Sequence, residues 1–199
     1  MAMVCIRGGG VAASPEWAAA RESSSDKTLT RRIAAGDQSA MQALFARYRV
    51  RVYRWLRRLV DDEALAEDLL SEVFLDVWRH AASFEARSSL STWLLAIARY
   101  KALSARRRRT DAELDEATVS TVPDTADDPE VTLQKENRAE ALRQSLPRLS
   151  PEHREVIDLA YYHGKSVKEI AAIVSISEAT VKTRMFYARR KLAELIETT

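Results

Sequence analysis

The chain has 199 residues, 46% hydrophobic and 30% charged, which is a globular composition. Its single cysteine, Cys5, excludes a disulfide framework and any cysteine-built zinc site, and no stretch approaches the roughly 18 apolar residues of a membrane span. The net charge is only +2, but residues 111–130 hold eight carboxylates and no cation, leaving 31 basic against 21 acidic residues elsewhere. Two basic bodies joined by an acidic tether suit a polyanionic partner. Two solvated helical faces joined by an ordinary linker would give the same tally. The first ten residues lack the pattern of a secretory signal, so the expected protein is soluble and cytoplasmic, with no membrane insertion.

Residues 1–27 mix Gly, Ala and Ser without periodicity and are expected to form a disordered extension. From Thr28 the pattern turns helical. Met41, Leu44, Phe45, Tyr48, Val52, Trp55, Leu56 and Leu59 recur at steps of three and four, with Asp37 placed to cap their helix. Asp61-Asp62 breaks that helix and caps the next, whose apolar face is Leu65, Leu69, Val73, Phe74 and Val77. After a polar stretch, a third helix runs from Thr92 to about Arg107. No strand-like alternation occurs, so residues 28–109 are expected to form an all-α bundle. Residues 110–135, acidic and containing Pro123 and Pro129, cannot bury enough surface to offset their conformational entropy. They are expected to tether the two halves flexibly, leaving them unfixed relative to each other.

A second helical body is expected over 136–199. Ala139, Leu142 and Leu146 share a short face ended by Pro147. Ser150-Pro151 pairs an N-cap with proline at the first helical position, and Gly164 closes the helix. Ser166 and Glu169 have capping-box spacing, and Ser177 caps a last helix after a short turn. On that helix Val181, Met185, Ala188, Leu192 and Leu195 face inward. Lys182, Thr183, Phe186, Tyr187 and Arg190 fall outward. Two helices joined by a tight turn, the second presenting cations and aromatics, match a helix-turn-helix DNA reader. An αα-hairpin with a solvated basic face is the plain alternative.

The stretch Leu146-Pro147-x-Leu149-Ser150-Pro151, then Arg154-Glu155-Val156-Ile157, Ser166 to Ala171 and Ser177 to Arg189 resembles region 4 of bacterial sigma-70 family factors. The resemblance implies that Lys182, Thr183, Phe186, Tyr187 and Arg190 meet a −35 promoter element, Tyr187 standing where a basic residue is common. Ala66 to Arg79 resembles sigma region 2.2, implying that Asp68, Glu72 and Asp76 dock core RNA polymerase. These three lie at i, i+4 and i+8, so their carboxylates share one helical stripe. Phe84 and Leu90 to Arg99 resemble regions 2.3 and 2.4, which open and read the −10 element. Extruded bases need aromatic surfaces and their strand needs cations, which implicates Phe84, Trp93, Arg99, Tyr100, Lys101 and Ser104. Trp93 is equally suited to the core. Tyr100 and Ser104 depart from the family pattern at positions that read bases.

The two-domain layout, with a tether too short for an intervening domain, resembles the extracytoplasmic function group. The resemblance implies core RNA polymerase and promoter DNA as partners, and an anti-sigma factor inserted between the halves. No enzymatic constellation or cofactor site is visible. His80, His153 and His163 stand apart from any metal-ligand spacing and are expected at the surface or at helix ends. A response-regulator-like protein would need strands before the helix-turn-helix. A decoy that merely sequesters an anti-sigma factor would not need the basic Arg106 to Arg109 run.

Overall fold

The computed structural model describes residues 15–85, 87–115 and 145–197. Among the described residues there are seven α-helices and no strand: α1 (Pro15–Ala34), α2 (Gln38–Leu59), α3 (Glu63–His80), α4 (Leu90–Asp115), α5 (Pro151–Tyr161), α6 (Val167–Val174) and α7 (Glu178–Glu197). The starts follow the chemistry of helix ends, where backbone N–H groups lack partners and short polar side chains supply them. Asp37 accepts from Ser39 N and Ala40 N, and Asp62 accepts from Leu65 N. Ser150 caps α5 ahead of Pro151, and Ser166 and Glu169 form a reciprocal capping box on α6.

Helices α1–α4 form the first bundle. Leu44, Tyr48, Val52, Trp55 and Leu56 of α2 bury against Leu69, Val73, Phe74 and Val77 of α3 and Leu94, Leu95, Ala98 and Ala102 of α4. The Trp55 indole N–H, buried with its ring, donates to Leu95 O at 3.2 Å. Phe45 departs from the expected core. It sits at the edge of the α2 stripe, 40% exposed, in edge-to-face contact with Phe74.

The expected disorder over residues 1–27 is corrected from Pro15 onward, where the chain is helical; residues 1–14 lie outside the described residues. A polar anchor holds α1. Asp26 is buried and accepts hydrogen bonds from the Tyr48 hydroxyl at 2.6 Å and the Arg47 guanidinium at 2.8 Å. One turn on, Leu29 and Ile33 join the bundle core. The far end of α4 also overruns its expected boundary, reaching Asp115. No glycine or proline interrupts residues 87–122, so nothing local stops the helix there. The remainder of the acidic tether, and the helix expected from Glu136 through Ala139 and Leu142, lie outside the described residues.

Helices α5–α7 form the second bundle, with Leu146, Leu149, Ile157, Ala188 and Leu192 as one buried cluster. The two bundles touch. Helix α6 packs along α4, and Val156, Leu159, Ile170 and Val174 continue the apolar core of the first bundle. In this structure the halves are therefore in contact rather than unfixed relative to each other. His163 lies just past the end of α5, one of the two places expected for it, but is buried rather than exposed, its ring edge-on to Trp55 and its Nε2 3.4 Å from Asp158.

Removing the α1 anchor should be measurable. Asp26→Ala removes the buried carboxylate that the Tyr48 hydroxyl and the Arg47 guanidinium donate to, and should destabilise the first bundle by about 1–3 kcal/mol. Urea unfolding checks this, with exposed Lys27→Ala expected to stay within about 0.5 kcal/mol of the parent.

Candidate nucleic-acid interface

Helices α6 and α7 are joined by a turn in which Ser175 takes a left-handed conformation (φ 60°, ψ 46°) and Ile176 N donates back to Ala171 O. That single left-handed residue ends α6 sharply. Ser177 then caps α7, accepting from Thr180 N at 3.1 Å. With α7 so fixed, Val181, Met185, Ala188, Leu192 and Leu195 are buried. Lys182, Thr183, Phe186, Tyr187 and Arg190 are all exposed on its other side. The five residues expected to read DNA here share this face.

Two large aromatics in open solvent are the notable feature of this face. Phe186 is 63% and Tyr187 52% exposed, and they stack edge-to-face at 5.4 Å. Lys182, Phe186 and Arg190 border a shallow hollow floored by Val167 and Met185. Arg189 borders it too, lying three residues after Phe186 and seven after Lys182. Sequence reasoning passed over Arg189, though its helical spacing marks it. Arg190 pairs with Glu194 at 3.3 Å, an exposed i, i+4 bridge that a phosphate can displace at little cost.

The six residues expected at the −10 element do not share one face. Phe84 and Trp93 stack at 4.9 Å, both half-buried against the bundle core, which gives Trp93 a packing role and leaves one edge accessible. Arg99, Tyr100 and Lys101 are consecutive on α4, so their side chains diverge by about 100° each. Tyr100 points to solvent, 69% exposed. Arg99 turns to α5 and makes a two-pronged contact with Glu155, at 2.5 and 3.3 Å. Lys101 turns to α3 and bridges Asp76 at 2.8 Å and Glu72 at 3.1 Å. Ser104 is half-buried one turn on.

Lys101 therefore ties one expected surface to another. Burial opposes its charge, but Asp76 and Glu72 outweigh that and hold its pKa above the ordinary lysine value. Its bridge is accordingly intact at neutral pH and is lost only as pH rises through that raised value. Of the expected docking stripe, Glu72 and Asp76 already share this cation. Asp68 is exposed and has no ion-pair partner among the described residues. Leu75, 46% exposed, lies seven residues after Asp68 and three after Glu72, which sets an apolar knob beside the stripe.

The cradle where the bundles meet is built from polar groups. The Lys165 ammonium, its side chain 5% exposed, donates to Ser91 Oγ at 2.6 Å, Thr92 Oγ1 at 3.1 Å and Glu169 Oε1 at 3.1 Å. Burial pushes the Glu169 carboxyl upward, but the Thr92 hydroxyl, Ser166 N–H, Lys165 and the Ser89 hydroxyl together bring it down to about 2. Alongside, Asp158 is buried within 2.9 Å of Arg58, whose guanidinium also covers the Tyr162 ring at 4.3 Å. Among the described residues no group of three His, Cys, Asp or Glu side chains is placed to hold a metal ion, and no helix is long and apolar enough to cross a membrane.

The sequence matches two family models, Sigma-70 region 2 over residues 44–111 and Sigma-70, region 4 over residues 139–192. It is 36% identical over 168 residues to the RNA polymerase sigma factor CarQ of Myxococcus xanthus, covering 83% of this chain and 94% of that one. It is 35% identical over 166 residues to the ECF RNA polymerase sigma factor SigL of Mycobacterium tuberculosis, covering 80% and 90%. Among solved structures, the sigma factor RpoE of Bartonella quintana, in complex with the anti-sigma factor NepR, superposes with a TM-score of 0.66 at 27% identity, covering 78% of this chain and 96% of that one. CnrH, in complex with the cytosolic domain of CnrY, gives 0.63 at 25% identity, covering 87% and 98%. With both sigma-70 regions present in order, and relatives aligned along most of its length, the chain belongs to the sigma-70 family of RNA polymerase sigma factors, in the extracytoplasmic function group.

Proposed function

We propose that α1–α4 dock core RNA polymerase and open the −10 element while α5–α7 read the −35 element, the chain itself performing no catalysis and acting in the cytoplasm. The observation that carries this reading is the outward face of α7. Lys182, Thr183, Phe186 and Tyr187 stand exposed in the first half of the second helix of a helix-turn-helix, where side chains reach base edges in a major groove, with Arg190 exposed on the same face beyond them. Asp68 and Glu72, with Leu75 beside them, offer polymerase an acidic edge around an apolar knob. Phe84, Trp93 and Tyr100 offer bases a stacking surface, and Arg106 to Arg109, all exposed, offer the strand cations. Purified chain added to core polymerase should direct run-off transcription from a subset of a genomic promoter library. Failure on every promoter would overturn the reading.

The RpoE relative is held by an anti-sigma factor, and we infer a partner of that kind for this chain. Insertion of such a partner between the halves would require the α4–α6 contact to open.

Lys182→Ala should weaken binding to −35 DNA. A phosphate contact would lower affinity equally across sequences and reduce the salt slope by about one unit, whereas a base contact would relax specificity at one position by about 1–3 kcal/mol. Fluorescence anisotropy over a salt series separates the two. Asp68→Lys should weaken binding to core polymerase without shifting the melting transition, since an exposed charge contributes little to stability. Glu72→Lys would also disrupt the Lys101 bridge and is the less clean variant.

A further inference from the structure

The outward face of α7 is cationic at its edges and apolar in between. Lys182, Arg189 and Arg190, all exposed, ring the hollow whose floor is Val167 and Met185 and whose wall is the bare ring of Phe186. The hollow spans both helices of the motif, because Val167 is the first residue of α6 and the others lie on α7. Lys182, Met185, Phe186 and Arg189 fall at i, i+3, i+4 and i+7, so they share one stripe. Their positions are set by packing. Met185 is 9% exposed and joins the bundle core, and the Ser166–Glu169 capping box fixes the start of α6. Phe186 rests edge-on against Tyr187, and Arg189 lies over the Tyr161 ring at 5.7 Å.

A phosphate asks for cations, and most base edges ask for donors or acceptors; neither asks for an apolar floor. The major groove offers one apolar group to such a floor, the C5-methyl of thymine. An unmethylated base edge set there would lose water from polar atoms that Val167, Met185 and Phe186 cannot pair, which is unfavourable. We propose that this hollow is a thymine-methyl site, which makes Val167, Met185 and Phe186 specificity-determining residues of the −35 contact. The proposal rests on the reading of α5–α7 as the −35 module. Lys182 stands at the rim, so the base or phosphate it meets neighbours this thymine. Because Val167 comes from α6, the first helix of the motif takes part in reading the base.

The test turns on a single methyl group. Duplexes are selected by the full chain with core polymerase from a pool randomised over the −35 segment alone, and the selected sites should share a thymine at one fixed position. Replacing that thymine by deoxyuridine removes the methyl and keeps every hydrogen-bonding group. Affinity should fall about fourfold, as expected for one buried methyl-sized group. Phe186→Ala should bind the thymine and deoxyuridine duplexes alike. So should Val167→Thr, which keeps the shape of the side chain and puts a hydroxyl in the floor. Thr183→Ala, outside the hollow, should retain the fourfold gap. Circular dichroism with an unchanged helical signal verifies that each variant is folded. Selected sites without a fixed thymine, or deoxyuridine without effect at every −35 thymine, would overturn the methyl site. A gap that survives both Phe186→Ala and Val167→Thr would overturn its assignment to this hollow. Selection of no sequence at all would overturn the −35 reading and the methyl site with it, which tells the two failures apart.

Discussion

A lysine ammonium buried between two helical bundles constrains everything around it. Removing such a charge from water is costly unless hydrogen-bonding groups replace the water. Here the replacements come from both sides, from the Ser91 and Thr92 hydroxyls on α4 and from Glu169 on α6. Glu169 also completes the capping box of α6 through Ser166 N at 3.1 Å. One carboxylate thus starts the first helix of the DNA-reading motif and fixes that motif against the other bundle. The local device that begins the helix uses Oε2 of this carboxylate, and the long-range contact that closes the molecule uses Oε1.

The consequence is an asymmetry between the two DNA-facing surfaces. The α7 face is presented to solvent with its aromatics bare. On α4, Arg99 and Lys101 are engaged by Glu155 and by Asp76 and Glu72, and Tyr100 alone of that consecutive trio stands clear. These engagements differ in kind. The Lys101 bridge joins α3 to α4 inside one bundle and persists whatever the bundles do, whereas the Arg99 contact exists only while they touch. Lys101 therefore braces α3 against α4, whereas Arg99 ties α4 to α5.

What could be read from the chain was what spacing encodes. Asp37, Asp62, Ser150-Pro151 and the Ser166 to Glu169 box each act over a few residues, and all four begin helices as their chemistry demands. The inward and outward faces of α7 follow from a step of about 100° and were equally legible. The α1 helix was not, because its anchor is a buried carboxylate whose partners, Arg47 and Tyr48, lie more than twenty residues away in an unrelated pattern. Nor was the junction. Arg99 meets Glu155 across 56 residues and Lys165 meets Ser91 across 74, with the acidic tether between. Grouping Arg99, Tyr100 and Lys101 by residue type also concealed that neighbours on a helix point apart.

The bundles meet in the free chain and are expected to part when it engages core polymerase and promoter DNA. Arg87 and Lys168 are exposed residues flanking the junction from opposite bundles. Arg87→Cys and Lys168→Cys, with the native cysteine replaced by Cys5→Ser, allow a donor and an acceptor dye to be placed there. Single-molecule energy transfer should show one high-transfer population for the free chain and a low-transfer population in complex with core polymerase and promoter DNA. Equal transfer in the two states, or low transfer in the free chain, would contradict the account.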